Sequence, residues 1–173
     1  MTEVELKAVL TPAQAQALPR QLAEAGFVLK ETLQESDVYF NGSNRDFRKT
    51  DEALRLRTAR DLRTGAETAQ MTYKGAKMDE RSNSRTEYET AVSPAKTARQ
   101  LLEALGFTAV FMVEKQRRAF SSGDVTACLD EVTGLGCFIE LEILLESGDR
   151  DTAVDQLLAL LDQLSISRQA LRR

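Results

Sequence analysis

Eight short runs of this chain alternate between apolar and polar side chains, and that period of two constrains the fold more than any other feature. The first, Glu3-Val4-Glu5-Leu6-Lys7, puts Glu3, Glu5 and Lys7 on one face of a strand and Val4, Leu6 and Ala8 on the other. The pattern recurs over 34–40, 54–59, 68–74, 85–91, 111–120, 125–132 and 138–145, with polar or glycine-bearing joints such as 61–65 and 133–136. Each strand then has one face for a core and one that stays wet or finds partners.

Three segments switch to a helical period. Segment 11–26 opens on Thr-Pro and closes on Gly; 93–106 repeats that grammar, with Ser93 as N-cap, Pro94 at the first helical position and Gly106 past the end. Segment 149–164 carries Val154, Leu157, Leu158 and Leu161 at helical spacing. Ala25-Gly26-Phe27 and Leu105-Gly106-Phe107 each close a helix and lead into a strand, an echo that divides the chain into two βαβ-like halves. Segments 41–52 and 75–83 are polar and read as mobile loops.

The polar faces are sorted by sign. Acids hold the first and last strands, through Glu3, Glu5, Glu140 and Glu142. Cations hold the middle ones, through Arg55, Arg57, Lys74, Lys115 and Arg117, while Arg85, Glu87 and Glu89 share a face and Asp130 ends the seventh strand. If the sheet closes into a barrel with the helices outside, these faces turn inward, where empty they are costly to desolvate. Such an interior is wet and its charges have ligands. Arginine forks and lysine point charges suit a polyphosphate; carboxylates suit Mg²⁺ or Mn²⁺, hard ions that bind phosphate oxygens at the same time.

At 173 residues the chain is read as one domain, 1–173, with a core that needs no covalent staples. A formal charge of −4 gives no net pull toward nucleic acid or an anionic membrane, so neither is an expected partner and an anion must be captured by locally arranged cations. No run has the length of a membrane span and no signal-peptide pattern opens the chain, so a cytoplasmic location is expected. Histidine is absent, which removes every His-based triad and imidazole as a base. Cys128 and Cys137 are too few for a disulfide framework or a zinc cage. Carboxylates, lysines, arginines and a hard metal are left to do any chemistry.

The ordered set Glu3-x-Glu5-x-Lys7, Arg55-x-Arg57, Lys74-Gly75, Arg85-x-Glu87-x-Glu89, Glu114-Lys115-Gln116-Arg117, Leu129-Asp130 and Gly134-Leu135-Gly136-x-Phe138-x-Glu140-x-Glu142 resembles the CYTH superfamily, also called triphosphate tunnel metalloenzymes. Its last blocks are most similar to the CyaB-type, class IV adenylyl cyclase branch. The resemblance implies an α+β fold built on a closed eight-stranded antiparallel barrel with about three helices outside. It also implies metal ligands among Glu3, Glu5, Glu89, Asp130, Glu140 and Glu142, and phosphate contacts from Lys7, Arg55, Arg57, Lys74, Arg85, Lys115 and Arg117. The branch's Ser-Tyr-containing closing segment is not matched by Leu171-Arg172-Arg173.

The implied chemistry forks. A cyclase directs the ribose 3′-hydroxyl of ATP at the α-phosphorus and releases pyrophosphate; a triphosphatase directs water at the terminal phosphorus of an inorganic, thiamine or nucleoside triphosphate. Glu5, Lys7 and Lys115 are the catalytic candidates on either route. A third reading is a non-catalytic binder of polyphosphate or nucleotide. Phe40, Phe47, Tyr73 and Phe138 are candidates to stack on a base; Lys77, Arg81 and Arg85 are candidates for a lid; leucines on the last helix admit a homodimer.

Overall fold

The computed structural model describes residues 2–78, 82–145 and 149–172. Its elements run β1 (Thr2–Leu10), α1 (Pro12–Glu24), β2 (Val28–Asn41), β3 (Ala53–Asp61), β4 (Glu67–Lys74), β5 (Arg85–Ala91), α2 (Ala95–Ala104), β6 (Thr108–Ser122), β7 (Val125–Val132), β8 (Gly136–Leu145) and α3 (Arg150–Gln163). A single 3₁₀ turn over Arg168–Ala170 and the short β9 (Leu171–Arg172) follow.

The strands form one sheet in the order β5-β4-β3-β2-β6-β7-β8-β1, and β1 pairs back onto β5. Every neighbouring pair is antiparallel, so the sheet is a closed eight-stranded barrel. Among the described residues, closure pairs Thr2 with Thr86 and Glu3 with Arg85. The rest of that β1 edge is taken by β9, through Lys7 with Arg172 and Ala8 with Leu171. Between them the Asn83 N–H donates to the Glu5 carbonyl at 2.9 Å. Backbone groups that an open edge leaves bare are thereby used.

The core of this barrel lies outside it. Val4, Leu6 and Ala8 of β1 and Ile139, Leu141 and Ile143 of β8 face Leu18 and Leu22 of α1 and Val154, Leu157 and Leu161 of α3, each 2% exposed or less. A second cluster sets Phe40, Leu54 and Leu56 against Leu102 of α2. Because successive side chains on a strand point to opposite faces, burying these outer rows under helices drives Glu3, Glu5, Lys7, Glu140 and Glu142 into the barrel. Leu158 and Leu160 also pack against the first cluster, so the helix surface that suggested a homodimer is largely covered by this chain's own core.

Several expectations are corrected in detail. The two-halves echo is real, but the repeated unit is βαβββ and every strand pairing among the described residues is antiparallel: β1-α1-β2-β3-β4 is followed by β5-α2-β6-β7-β8. Gly26 and Gly106 close α1 and α2 with matching geometry, φ +85° and +90°, and matching hydrogen bonds from Phe27 to Leu22 and from Phe107 to Leu102. α2 starts one residue later than its Ser-Pro suggests, with Pro94 rather than Ser93 as N-cap. β2 begins at Val28, ahead of its alternating part, because a bulge between Leu29 and Glu31 lets the irregular stretch keep pairing with β6. Segment 41–52 is not a loose loop: Phe47 is buried, its N–H donates to Asn41 Oδ1 at 2.7 Å, and Arg45 forks onto Glu52 at 2.9 and 2.8 Å. Among the described residues no helix is long and apolar enough to cross a membrane.

Candidate functional site

The barrel encloses a cavity of about 1020 Å³ to which all eight of its strands contribute. Since the strands alternate in direction, one mouth collects the ends of β1, β2, β4 and β7 and the starts of β3, β5, β6 and β8. The connections 42–52 and 133–135 and the described residues 75–78 and 82–84 ring that mouth.

One wall is a web of buried ion pairs. Arg57 forks onto Asp37 at 2.6 and 2.7 Å and reaches Glu35 at 3.2 Å. Lys115 donates to Asp130 at 2.7 Å, and Arg117 forks onto the same carboxylate at 2.7 and 2.6 Å. Glu35 ties the two groups together, with Lys115 at 3.5 Å and Arg117 at 3.8 Å. Glu140 closes the web by binding Arg117 and accepting from Lys7 at 2.7 Å. Burial alone would push the Glu140 carboxyl up, yet Arg117, Lys115 and Lys7 hold it well below the ordinary carboxylate value. The Lys7 ammonium is likewise raised despite its burial, chiefly by Glu140, and stays charged.

The opposite wall is looser. Lys74 pairs with Glu3 at 2.9 Å and with Glu87. Arg55 donates one hydrogen bond, to Thr72 at 3.2 Å; the carboxylates of Asp37 and Glu89 come no nearer than 3.9 Å, and its buried Nε has no partner among the described residues. The Thr72 hydroxyl in turn donates a hydrogen bond to Glu89 at 2.9 Å. At the mouth Asp51 binds the Lys77 ammonium at 3.1 Å, and its carbonyl accepts from Arg85 at 3.4 Å, so the 42–52 and 75–84 connections are joined.

Two acids stand apart. Glu5 and Glu142 are direct cross-strand partners of β1 and β8, an arrangement in which like charges repel. Among the described residues neither forms an ion pair; Glu5 receives only the Asn83 amide at 3.3 Å. Burial first, then the charges of Glu140 and Glu3, push Glu5 up to about 7; burial, Glu3 and Glu5 push Glu142 up to about 7. No three acids among the described residues meet closely enough to make a ready cage for a metal ion. Two carboxylates without cations, beside lysines and arginines, nevertheless match how Mg²⁺ binds, with one or two protein carboxylates completed by substrate phosphates and water.

The sequence-predicted residues are thus brought together, in unequal roles. Glu3, Glu5, Glu140, Glu142, Lys7, Arg55, Arg57, Lys74, Arg85, Glu89, Lys115 and Arg117 all line the cavity. Asp130 lies behind Lys115 and Arg117, fully buried, with both oxygens occupied. Arg81 lies outside the described residues. Glu35 and Asp37 were missed, although Glu35-x-Asp37-x-Tyr39 carries the same alternation as the strands that were read; Glu87 was seen on its face but given no role. Of the aromatic candidates only Phe138 reaches the cavity, under the Lys7 ammonium at 5.1 Å. Phe40 and Phe47 are core, and Tyr73 packs there with its hydroxyl on Glu52. Both cysteines are free, and burial pushes the Cys128 thiol up to about 12, which leaves it no nucleophile.

Comparison with known proteins agrees with this geometry. The model of the CYTH domain family matches residues 1–173. A Methanocaldococcus jannaschii protein provisionally named an adenylate cyclase is 36% identical over 175 residues, covering 100% of this chain and 95% of the relative. A solved structure from Pyrococcus horikoshii OT3 superposes with a TM-score of 0.88 at 36% identity, over 99% of this chain and 93% of that one. A Hippeastrum protein described as a provisional adenylyl cyclase with a dominant triphosphatase activity shares the fold at a TM-score of 0.66 and 17% identity, over 95% and 88% of the two chains.

Proposed function

The chain belongs to the CYTH domain family, and from that premise we propose that it is a divalent-metal-dependent enzyme acting on a triphosphate held inside the barrel, most specifically an adenylyl cyclase that converts ATP to cyclic AMP and pyrophosphate. The observation that carries the proposal is the facing pair Glu5 and Glu142, two half-buried acids that form no ion pair among the described residues, in a cavity otherwise lined by ion pairs. An anion alone would add to their repulsion; an anion that arrives with Mg²⁺ or Mn²⁺ relieves it. The full-length likeness to a provisionally named cyclase supports the choice of reaction.

Glu5 and Glu142 would hold the ion, with Glu3 close by on the same face. Bound there, it neutralises phosphate oxygens and acts as a Lewis acid at the reacting phosphorus. The chain's own residues supply the rest. Arg55, whose Nε has no partner among the described residues, and Lys74 bind phosphate oxygens on the loose wall, while Lys7 and Arg117 present fixed positive charge from the tight one. The web around Glu35 and Asp130 holds these cations in place before substrate arrives, which lowers the reorganisation needed during the reaction. Lys7 stays protonated and stabilises the leaving group.

Hydrolysis of the triphosphate is the second reading. It is favoured by the charge of the cavity, whose ion-pairing groups address phosphate and metal, leaving water as an available nucleophile. The test is to incubate the protein with ATP, and separately with tripolyphosphate, in Mg²⁺ or Mn²⁺ and resolve the products. Cyclic AMP with pyrophosphate supports the cyclase; orthophosphate without cyclic AMP makes it a triphosphatase. Tight binding without product from either would replace both with a binding module.

A further inference from the structure

One row across the inner face of the barrel carries a neutral side chain between two charges. Register places Arg55 of β3 opposite Thr72 of β4, and Thr72 opposite Glu89 of β5. One inner-face step away, Lys74 and Glu87 face each other directly and close into an ion pair. Arg55 and Glu89 do not: Arg55 Nη2 and Glu89 Oε2 stay 3.9 Å apart, about 1 Å beyond a charged hydrogen bond. The Thr72 hydroxyl fills that interval. It accepts from Arg55 Nη2 at 3.2 Å and donates to Glu89 Oε2 at 2.9 Å, which uses its single proton and one lone pair. Thr72 is 0% exposed, so water does not compete for the hydroxyl.

We propose that Thr72 is a positioning residue for the triphosphate: its hydroxyl holds Arg55 and Glu89 apart and so keeps the Arg55 guanidinium uncommitted and facing the phosphates. The inference rests on the reading of the barrel as a triphosphate site and adds a neutral residue that the sorting of charge does not single out. Arg57 shows what this row avoids. Two residues away on the same face, it forks onto Asp37, and a guanidinium so committed must break two charged bonds before it takes a phosphate oxygen. Arg55 gives one bond to a neutral hydroxyl, the weaker kind, and that is the only hydrogen bond its guanidinium makes among the described residues. It is thereby held in direction without being spent. Removing the hydroxyl lets Arg55 close on Glu89, which satisfies both side chains and takes the cation away from the substrate. A hydroxyl that served only the packing of β4 would act the same with or without Arg55, and the test turns on that difference.

The test measures binding of tripolyphosphate with Mg²⁺ to the full chain and to Thr72→Val, Thr72→Ser, Arg55→Ala and the double variant Thr72→Val with Arg55→Ala, each melted without ligand in parallel. Valine keeps the branched shape and removes the hydroxyl; serine keeps the hydroxyl. Affinity is expected to fall about tenfold in Thr72→Val, the scale of one hydrogen bond to a charged group, and to stay within about twofold of wild type in Thr72→Ser. In the Arg55→Ala background, Thr72→Val should change affinity by no more than about twofold, because no guanidinium remains to be aimed. The Thr72→Val melt should lie close to wild type, since the new Arg55–Glu89 contact replaces the lost bonds. Undiminished affinity in Thr72→Val, an equal loss with and without Arg55, or a serine that restores nothing overturns the proposal. So does a Thr72→Val protein that melts far below wild type, which makes the hydroxyl a structural contact. In all four cases a wild type that binds tripolyphosphate leaves the triphosphate site standing; a wild type that does not bind it overturns that reading and this inference together.

Discussion

Replacing Glu142 by Gln removes one of two carboxylates that face each other across β1 and β8 and that form no ion pair among the described residues. Burial and the charges of Glu3 and Glu5 raise the Glu142 carboxyl to about 7, above the 4.5 of an ordinary glutamate. In that interval the unfolded chain releases a proton that the folded chain keeps, so folding stability falls as pH rises from about 4.5 through about 7 and is flat beyond. The shift corresponds to about 3 kcal/mol as an upper bound, since one unit is about 1.4 kcal/mol and the neighbouring Glu5 titrates together with Glu142. Glu142→Gln is therefore expected to stabilise the metal-free protein at pH 8 by about 2–3 kcal/mol, or about 5–10 °C in Tm for a chain of this size. At pH 4.5, where both carboxyls are protonated, the difference should vanish. Mg²⁺ or Mn²⁺ should reverse the order, because a site filled at a hundred times its Kd gains about 2.7 kcal/mol and the variant has lost a ligand. Thermal melts in EDTA at the two pH values, repeated with metal, decide it. A variant less stable than wild type at pH 8 in EDTA would refute the reasoning, because Glu142 would then be making a favourable contact rather than bearing an unrelieved charge.

Other perturbations separate the two walls. Arg57→Ala leaves Asp37 and Glu35 buried without their fork and should cost about 3–5 kcal/mol in urea unfolding; an unchanged midpoint would remove Arg57 from the web. Arg55→Ala breaks one bond to Thr72 and should leave the unfolding midpoint nearly unchanged. Triphosphate affinity in that variant should drop about 10- to 100-fold, the worth of a charge-assisted contact, and undiminished affinity would remove Arg55 from the site. Leu157→Ala opens a cavity under α3 and should cost about 2–5 kcal/mol without moving KM, which a parallel melt and activity assay would show.

Much of this was legible in the chain because alternation is a local signal. Val4, Leu6 and Ala8 can be assigned one face, and Glu3, Glu5 and Lys7 the other, from a single strand considered alone. Helix ends were equally local: Thr11 caps α1 with a reciprocal pair to Gln14, and Asp149 caps α3. What failed locally was context. The start of β2 does not alternate and is a strand only because β6 pairs with it through a bulge. The 41–52 segment looked loose because its anchor, Phe47, is a lone apolar residue whose pocket comes from α2 and the β3–β4 surface.

The sequence by itself determined that charged faces exist, that they are sorted by sign, and that they suit phosphate and a hard metal. Which charge meets which was decided only by tertiary structure, because pairing depends on strand order and register between segments far apart in the chain. Arg55 and Arg57 show the difference. They lie two residues apart on the same face of β3, indistinguishable in sequence. Register sets Arg57 opposite Asp37, which fills its guanidinium, and Arg55 opposite Tyr39, which leaves it open to a ligand. The same holds for the acids: Lys7 falls opposite Glu140 and pairs with it, while one inner-face step away Glu5 falls opposite Glu142 and neither forms an ion pair among the described residues.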